Sequence, residues 1–254
     1  MFAEERRIKI VDLINERRKV TVDELCGVFN VSSATIRADL RELQRAGALT
    51  RTHGGAIQKV RTGFELNSQQ RVIQHLAEKQ RIARAALAMI DDGDRMVLDT
   101  GTTTLELAKL LHERSDLTVI TNDIEIASTL EEVESIEVIV MGGVLRKRFH
   151  CTLSLQGTQM YSGLTVDKAF LGVNSLSLNK GATTPDIGQA ETKKALIAMS
   201  NRVILLCDGS KIDRVSFVQF ATIDQIDTLI TDGIDKAMQS AFQDKGVEVV
   251  VAGR

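Results

Sequence analysis

Residues 20–56 read Val20-Thr-Val-Asp-Glu-Leu-Cys-Gly-Val-Phe-Asn30-Val-Ser-Ser-Ala-Thr-Ile-Arg-Ala-Asp-Leu40-Arg-Glu-Leu-Gln-Arg-Ala-Gly-Ala-Leu-Thr50-Arg-Thr-His-Gly-Gly-Ala56. Thr21 and Glu24 have the spacing of a capping box, with Val20 and Leu25 as its hydrophobic staple. Ser32 opens a second helix, stapled by Val31 and Ile36. Phe29-Asn30-Val31 leaves room only for a turn, and Asn30 tolerates the left-handed conformation a tight turn needs. In the second helix Ile36, Leu40 and Leu43 recur at helical spacing and face inward, while Ser33, Arg37, Arg41 and Gln44 lie opposite. Gly47 caps the end. Ala48–Thr52 reads as a strand, and His53-Gly54-Gly55 as a hairpin tip where glycines permit positive φ and close backbone approach. The stretch is a helix-turn-helix over about 20–46 followed by a wing.

Two arginines one turn apart on a solvated face have an ordinary explanation in pairing with Asp39 or Glu42. The helix-turn-helix context points elsewhere, because the N-terminal half of its second helix enters the major groove of duplex DNA. Ser32, Ser33 and Thr35 are then expected at phosphates or base edges, and Arg37 and Arg41 at guanine. Arg51 and His53 of the wing are expected on the backbone of the neighbouring minor groove, positioning more than specifying. Charge is distributed accordingly: residues 1–60 are net +3 and the remainder net −5.

The chain of 254 residues is long enough for two domains. A hydrophobic fraction of 43% and a charged fraction of 26% are ordinary for a globular protein. No apolar run is long enough for a membrane span, and the charged start Met1-Phe-Ala-Glu-Glu-Arg-Arg7 lacks a signal-peptide core, so a cytoplasmic protein is expected. Cys26, Cys151 and Cys207 are scattered and read as bystander thiols of a reducing compartment, and the four histidines are far apart, so neither a metal nor a cofactor is expected. With no Trp and one Tyr, stacking on single-stranded nucleic acid is not expected.

After a polar, weakly periodic linker at 58–72, the period alternates. A helix is expected from Leu76, with Ile82, Ala86, Met89 and Ile90 on one side. Strands are expected at Met96–Asp99, Leu117–Ile120, Val138–Met141, Ala169–Gly172, Val203–Cys207, Thr228–Ile230 and Val247–Val251. Helices are expected at Thr102–Leu111, Asp123–Leu130, Gly188–Met199 and Lys236–Phe242, with residues 144–160 ambiguous. Such alternation implies a three-layer α/β domain on a mostly parallel sheet. The chain therefore divides into a DNA-binding domain at 3–58 and an α/β domain at 73–254.

Sites on these sheets lie beyond the carboxyl ends of strands. Four strand ends carry small polar residues: Asp99-Thr-Gly-Thr-Thr-Thr104, Thr121-Asn122, Met141-Gly-Gly143 and Asp208-Gly-Ser-Lys211. Gly101 allows close approach, and Thr102, Thr103 and Thr104 open a helix, an arrangement suited to an anion. Lys211 adds a positive charge, and a phosphorylated small molecule is the natural guest. No nucleotide-binding glycine motif, nucleophile elbow or metal-spaced cluster is present.

Together these segments resemble the DeoR family of bacterial transcriptional regulators. The motifs are Val31–Leu40, Arg51–Ala56, Asp99–Thr104, Thr121-Asn122, Met141–Gly143, Gly181–Thr184 with Glu191 and Lys194, and Asp208–Lys211. One departure is Ala38, where the family often has a second arginine. The resemblance implies a winged helix-turn-helix joined to a sensor domain similar to ribose-5-phosphate isomerase, with Asp99, Gly101, Thr121, Asn122, Gly142, Gly143 and Lys211 around an effector. Lys180 and Glu191 match the isomerase's Lys-Gly loop and its glutamate. The isomerase's paired acids correspond to Gly172-Val-Asn-Ser175 and are missing, which implies a pocket that binds without turnover. The expectation is a repressor of a carbohydrate-catabolism operon. It would bind operator DNA as a homodimer or homotetramer and respond to a phosphorylated sugar or polyol. The rivals are an isomerase with a DNA-binding head, and a helix-turn-helix used only for protein assembly.

Overall fold

The computed structural model describes residues 2–17, 19–58, 67–153, 161 and 163–253. It divides into two compact units, residues 1–64 and 65–254.

The first unit runs α1 (Ala3–Arg17), β1 (Lys19–Thr21), α2 (Val22–Phe29), α3 (Ser33–Arg45), β2 (Leu49–Thr52) and β3 (Gly55–Gln58). The expected caps are present. Glu24 N–H donates to Thr21 Oγ1 at 3.2 Å, Thr21 N–H donates to Glu24 Oε2 at 2.7 Å, and Thr35 N–H donates to Ser32 Oγ at 3.2 Å. Asn30 turns the chain at φ 50°. Ile10, Ile14, Val20, Leu25, Ile36, Leu40 and Leu49 form one buried core. The sequence reading lacked α1 and β1. β1 adds a third strand to the hairpin, in the antiparallel order β1-β3-β2.

Two details of the wing differ from expectation. The α3 C-cap is Ala46, and Gly47 follows it in the left-handed region at φ 80°. Neither Gly54 nor Gly55 has positive φ. Gly55 is instead needed for packing, since a Cβ there would stand 2.1 Å from the Val20 carbonyl oxygen across the β1–β3 pair.

The second unit begins with α4 (Ser68–Ile73), a helix that overlaps the span 58–72 read as linker, and α5 (Leu76–Leu87). Then follow β4 (Arg95–Leu98), α6 (Thr102–Ala108), β5 (Leu117–Thr121), α7 (Ile124–Leu130), β6 (Ile136–Val140), β7 (Val144–Arg146), β8 (Cys151–Leu153) and β9 (Val166–Gly172). The chain continues through β10 (Ser175–Ser177), β11 (Gly181–Thr184), α8 (Ile187–Ala198), β12 (Ser200–Leu206), β13 (Val218–Ala221), β14 (Thr228–Thr231), α9 (Lys236–Gln243) and β15 (Glu248–Val251). Every strand and helix expected in this unit is present, with ends displaced by up to three residues. The ambiguous stretch holds the β7–β8 hairpin, and its residues 154–160 lie outside the described residues.

A seven-stranded parallel sheet runs in the order β15-β14-β12-β9-β4-β5-β6. Residues alternate strictly between its two faces. Val97, Ala169, Leu171, Val203 and Leu205 enter one core; Met96, Leu98, Phe170, Ile204 and Leu206 enter the other. A smaller antiparallel sheet, β10-β11-β13, had no counterpart in the sequence reading. Its three- and four-residue strands are too short to show a period, and β10 and β11 are in addition rich in Ser, Thr and Gly.

Strand order positions the site. From β4 the chain builds outward through β5 and β6, then returns to β9 on the other side of β4. The connections leaving the carboxyl ends of β4 and β9 therefore diverge and open a crevice between them.

Candidate functional site

In the first unit, α3 presents Ser33, Arg37, Arg41 and Gln44 to solvent, with Ile36, Leu40 and Leu43 buried. The acids expected as pairing partners are engaged elsewhere. Asp39 is buried against α1, where Arg6 Nε donates to it at 2.6 Å and Arg7 Nε at 2.9 Å. Glu42 pairs with Arg45 at 2.5 Å. Among the described residues neither Arg37 nor Arg41 has an acidic partner. Ser32 and Thr35 stand at the α3 N-terminus with their hydroxyls 2.9 Å apart. Arg51 is half-buried on β2, and His53 is exposed at the wing tip.

In the second unit, the crevice between the ends of β4 and β9 is lined by Thr100 and Gly101 after β4, Gly172, Val173 and Asn174 at the end of β9, and Gln189 and Lys193 from α8. Its outer wall is Ser68 and Arg71 of α4 with Phe149 from the β7–β8 turn. Beneath it Asp99 is fully buried and accepts from the Lys193 ammonium and from Gly172 N–H, the latter at 3.0 Å. Burial pushes the Asp99 carboxyl up, and the Lys193 charge opposes it. Lys193 also donates to Gly172 O at 2.9 Å and lies 5.1 Å from the centre of the Phe220 ring. Among the described residues that line the crevice there is no Asp or Glu.

The residues singled out from the sequence are distributed around this centre unequally. Gly101 lines the crevice and Asp99 lies under it. Thr102, Thr103 and Thr104 are buried in the first turn of α6, and the Thr104 hydroxyl donates back to Gly101 O at 2.8 Å. Thr121 and Asn122 anchor neighbouring backbone: Thr121 Oγ1 accepts from Asp123 N–H, and Asn122 Nδ2 donates to Thr152 O. Gly142 N–H donates to the Tyr161 hydroxyl, and Gly143 follows, exposed. Lys180 is exposed at the β10–β11 turn. Glu191 faces outward and pairs with Lys194 at 2.8 Å, because α8 turns its Gln189–Lys193 face inward. Lys211 pairs with Asp208 at 2.9 Å. Burial works against the Asp208 charge, but Lys211 and the Ser210 hydroxyl overcome it and hold that carboxyl well below the usual range.

Lys193, Gln189, Asn174, Ser68, Arg71 and Phe149 were not found from the sequence. A signal existed for α8, where Gln189 and Lys193 are four apart and in phase with the apolar Ala190 and Leu196. A polar residue on an apolar stripe marks a buried polar contact. Arg71 gave no such signal, since it lies in a stretch with weak periodicity.

Among the described residues no group of His, Cys, Asp and Glu is placed to hold a metal, and no helix is long and apolar enough to cross a membrane. Comparison with known proteins covers both units. A DeoR-like helix-turn-helix domain matches residues 6–62, and the DeoR C-terminal sensor domain matches residues 74–233. The chain is 34% identical over 253 residues to the HTH-type transcriptional regulator GolR of Listeria innocua, covering 99% of this chain and 100% of that one. It is 36% identical to the HTH-type transcriptional regulator GlpR of Haloferax volcanii, over 98% of each, and 35% identical to the HTH-type transcriptional repressor GlcR of Bacillus subtilis, over 99% and 97%. Among solved structures, ribose 5-phosphate isomerase A of Methanocaldococcus jannaschii shares 19% identity over 55% of each chain at a TM-score of 0.41. With both signature domains in order and full-length relatives that are regulators and not enzymes, the chain belongs to the DeoR family of DNA-binding transcriptional regulators.

Proposed function

We propose that this regulator represses a carbohydrate-catabolism operon and that a phosphorylated sugar or polyol, bound in the β4–β9 crevice, modulates its hold on operator DNA. The observation that carries the reading is the crevice lining. Among the described residues it is lined by the basic side chains of Arg71 and of Lys193, the latter paired from beneath with Asp99, by the amides of Asn174 and Gln189, by Gly101, and by no carboxylate. That set suits a phosphate ester and lacks a base to abstract a proton from a sugar carbon. Residues 3–58 form the DNA-binding head, residues 73–254 the sensor, and the protein works in the cytoplasm as a homodimer or homotetramer. In the head, Ser32, Ser33, Thr35, Arg37 and Arg41 face the major groove, and Arg51 and His53 the backbone beside it. The effector shifts the DNA-binding equilibrium only by its differential affinity for the DNA-competent and released states.

The test is fluorescence anisotropy with the duplex upstream of the protein's own gene, at fixed ionic strength, with ribose 5-phosphate, fructose 6-phosphate, glycerol 3-phosphate and inorganic phosphate added in turn. Sequence-specific binding is expected, and at least one phosphate ester is expected to change it. Arg37→Ala is expected to weaken binding by about 1–3 kcal/mol, the loss of a two-bond base contact. Affinity no greater than for random duplex, or no response to any phosphate ester, would overturn the reading.

A further inference from the structure

The crevice has two kinds of wall. Thr100, Gly101 and Asn174 belong to loops leaving the central sheet, Gly172 to the end of β9, and Gln189 and Lys193 to a helix packed on that sheet. Ser68, Arg71 and Phe149 belong to peripheral pieces, α4 and the β7–β8 turn. The two peripheral pieces are joined, since Ser68 N–H donates to Arg148 O at 3.0 Å. The turn is held in a costly shape, with Arg148 at φ 73° and His150 at φ 55° on either side of Phe149. His150 is fixed in turn by α7: its ring lies 2.8 Å from Glu125, and its carbonyl accepts from Ile124 N–H. On its other side α4 is hooked to α5, where Lys79 Nζ donates to the Arg71 carbonyl. Lys79 is itself buried, on a helix whose Ile82, Ala83 and Ala86 are core residues. Arg71 is thus among the residues that line the crevice, with its backbone held from behind.

In the chain, α4 is the first element of the second unit, and Ser68 comes ten residues after Gln58, the last residue of the wing strand β3. We propose that Arg71 contacts the anionic group of the effector directly, and that α4 is the element through which occupancy of the crevice is passed to the DNA-binding head. This rests on the crevice being the sensor site. The chemistry fits a phosphate monoester, whose oxygens match the planar donor fork of arginine. A ligand touching only the sheet loops would leave α4 undisturbed. A ligand that engages Arg71 draws on the segment leading to the head, which gives it unequal affinity for two placements of that segment.

The experiment uses the full-length protein and the same four probes. Calorimetry measures their binding to wild type, Arg71→Ala and Arg71→Lys, and hydrogen–deuterium exchange follows the α4 amides with and without the tightest-binding probe. Arg71→Ala is expected to lose at least tenfold in affinity, and Arg71→Lys to recover part of that loss. Wild type is expected to gain protection across residues 68–73 that Arg71→Ala does not. Melting temperatures without probe identify a variant that fails to fold, in which case Arg71→Lys and the wild-type exchange data decide. If wild type binds none of the probes, the sensor reading falls and takes this proposal with it. If wild type binds, but the folded Arg71 variants bind within twofold of it or α4 exchange is unchanged, the sensor reading stands and this proposal alone is overturned.

Discussion

Lys79 is an amine in a place that excludes water. Burial, with the Lys211 charge adding to it, pushes its pKa down to about 7. An unfolded lysine titrates near 10.4. Between those values the unfolded chain holds a proton that the native one does not, so native stability falls as pH drops from about 10 to about 7 and levels off below. Relative to Lys79→Met, wild type is expected to gain on the order of 3 kcal/mol between pH 7 and pH 10. Urea denaturation at a series of pH values measures this, and a constant difference would mean that Lys79 stays charged in the fold. Residues of this kind separate what sequence makes legible from what it does not. Thr21, Ser32 and Asn30 were readable because a cap or a turn is decided by atoms three residues away. Lys79, Lys193 and Arg71 were not, because their partners, Arg71 O, Asp99 and the crevice, are brought together by the fold.

Among the elements, the wing shows how one glycine can be obligatory and its neighbour free. A methyl on Gly55 would meet the Val20 carbonyl at 2.1 Å, whereas one on Gly54 has nothing within 4 Å. Gly55→Ala must push β1 away from β3 and is expected to destabilise the head by about 1–3 kcal/mol, an overpacking cost. Gly54→Ala is expected to stay within about 0.5 kcal/mol. Chemical denaturation of the two variants side by side checks the difference, and equal losses would remove the packing explanation. The sequence pointed to both glycines for one reason; the structure separates them because the third strand, β1, is needed to see it. The parallel strands were legible for the opposite reason. Each is a short apolar run bounded by turn residues, and the alternation of Val97, Leu98, Phe170 and Leu171 between two cores follows from the pleat. The β10-β11-β13 sheet is set by tertiary contact, as at Gly181, where φ is 61° and a Cβ would stand 2.1 Å from Ala221 O.

At the scale of the whole molecule, two compact units with separate cores are expected to unfold separately. Asp39→Ala strands the nearly buried Arg6 without its partner and is expected to cost the head about 3–5 kcal/mol. Phe170→Ala, which empties a fully buried position in the central sheet, is expected to cost the sensor about 3–5 kcal/mol. Scanning calorimetry should show two transitions, each variant lowering only its own; a shared shift would show that the units melt as one. The crevice became visible at this scale, since only the strand order reveals where the β4 and β9 connections part.

The inward placement of Asp39 has a further consequence. A carboxylate on the outer side of α3 would neutralise Arg37 and Arg41 and would have to be displaced when a duplex approached. Because Arg6 and Arg7 draw that carboxylate into the interior, the outward guanidinium groups have no carboxylate partner among the described residues and are left to mobile ions. Docking on a polyanion then liberates small ions into bulk solution, a gain in mixing entropy that shrinks as the surrounding electrolyte becomes more concentrated.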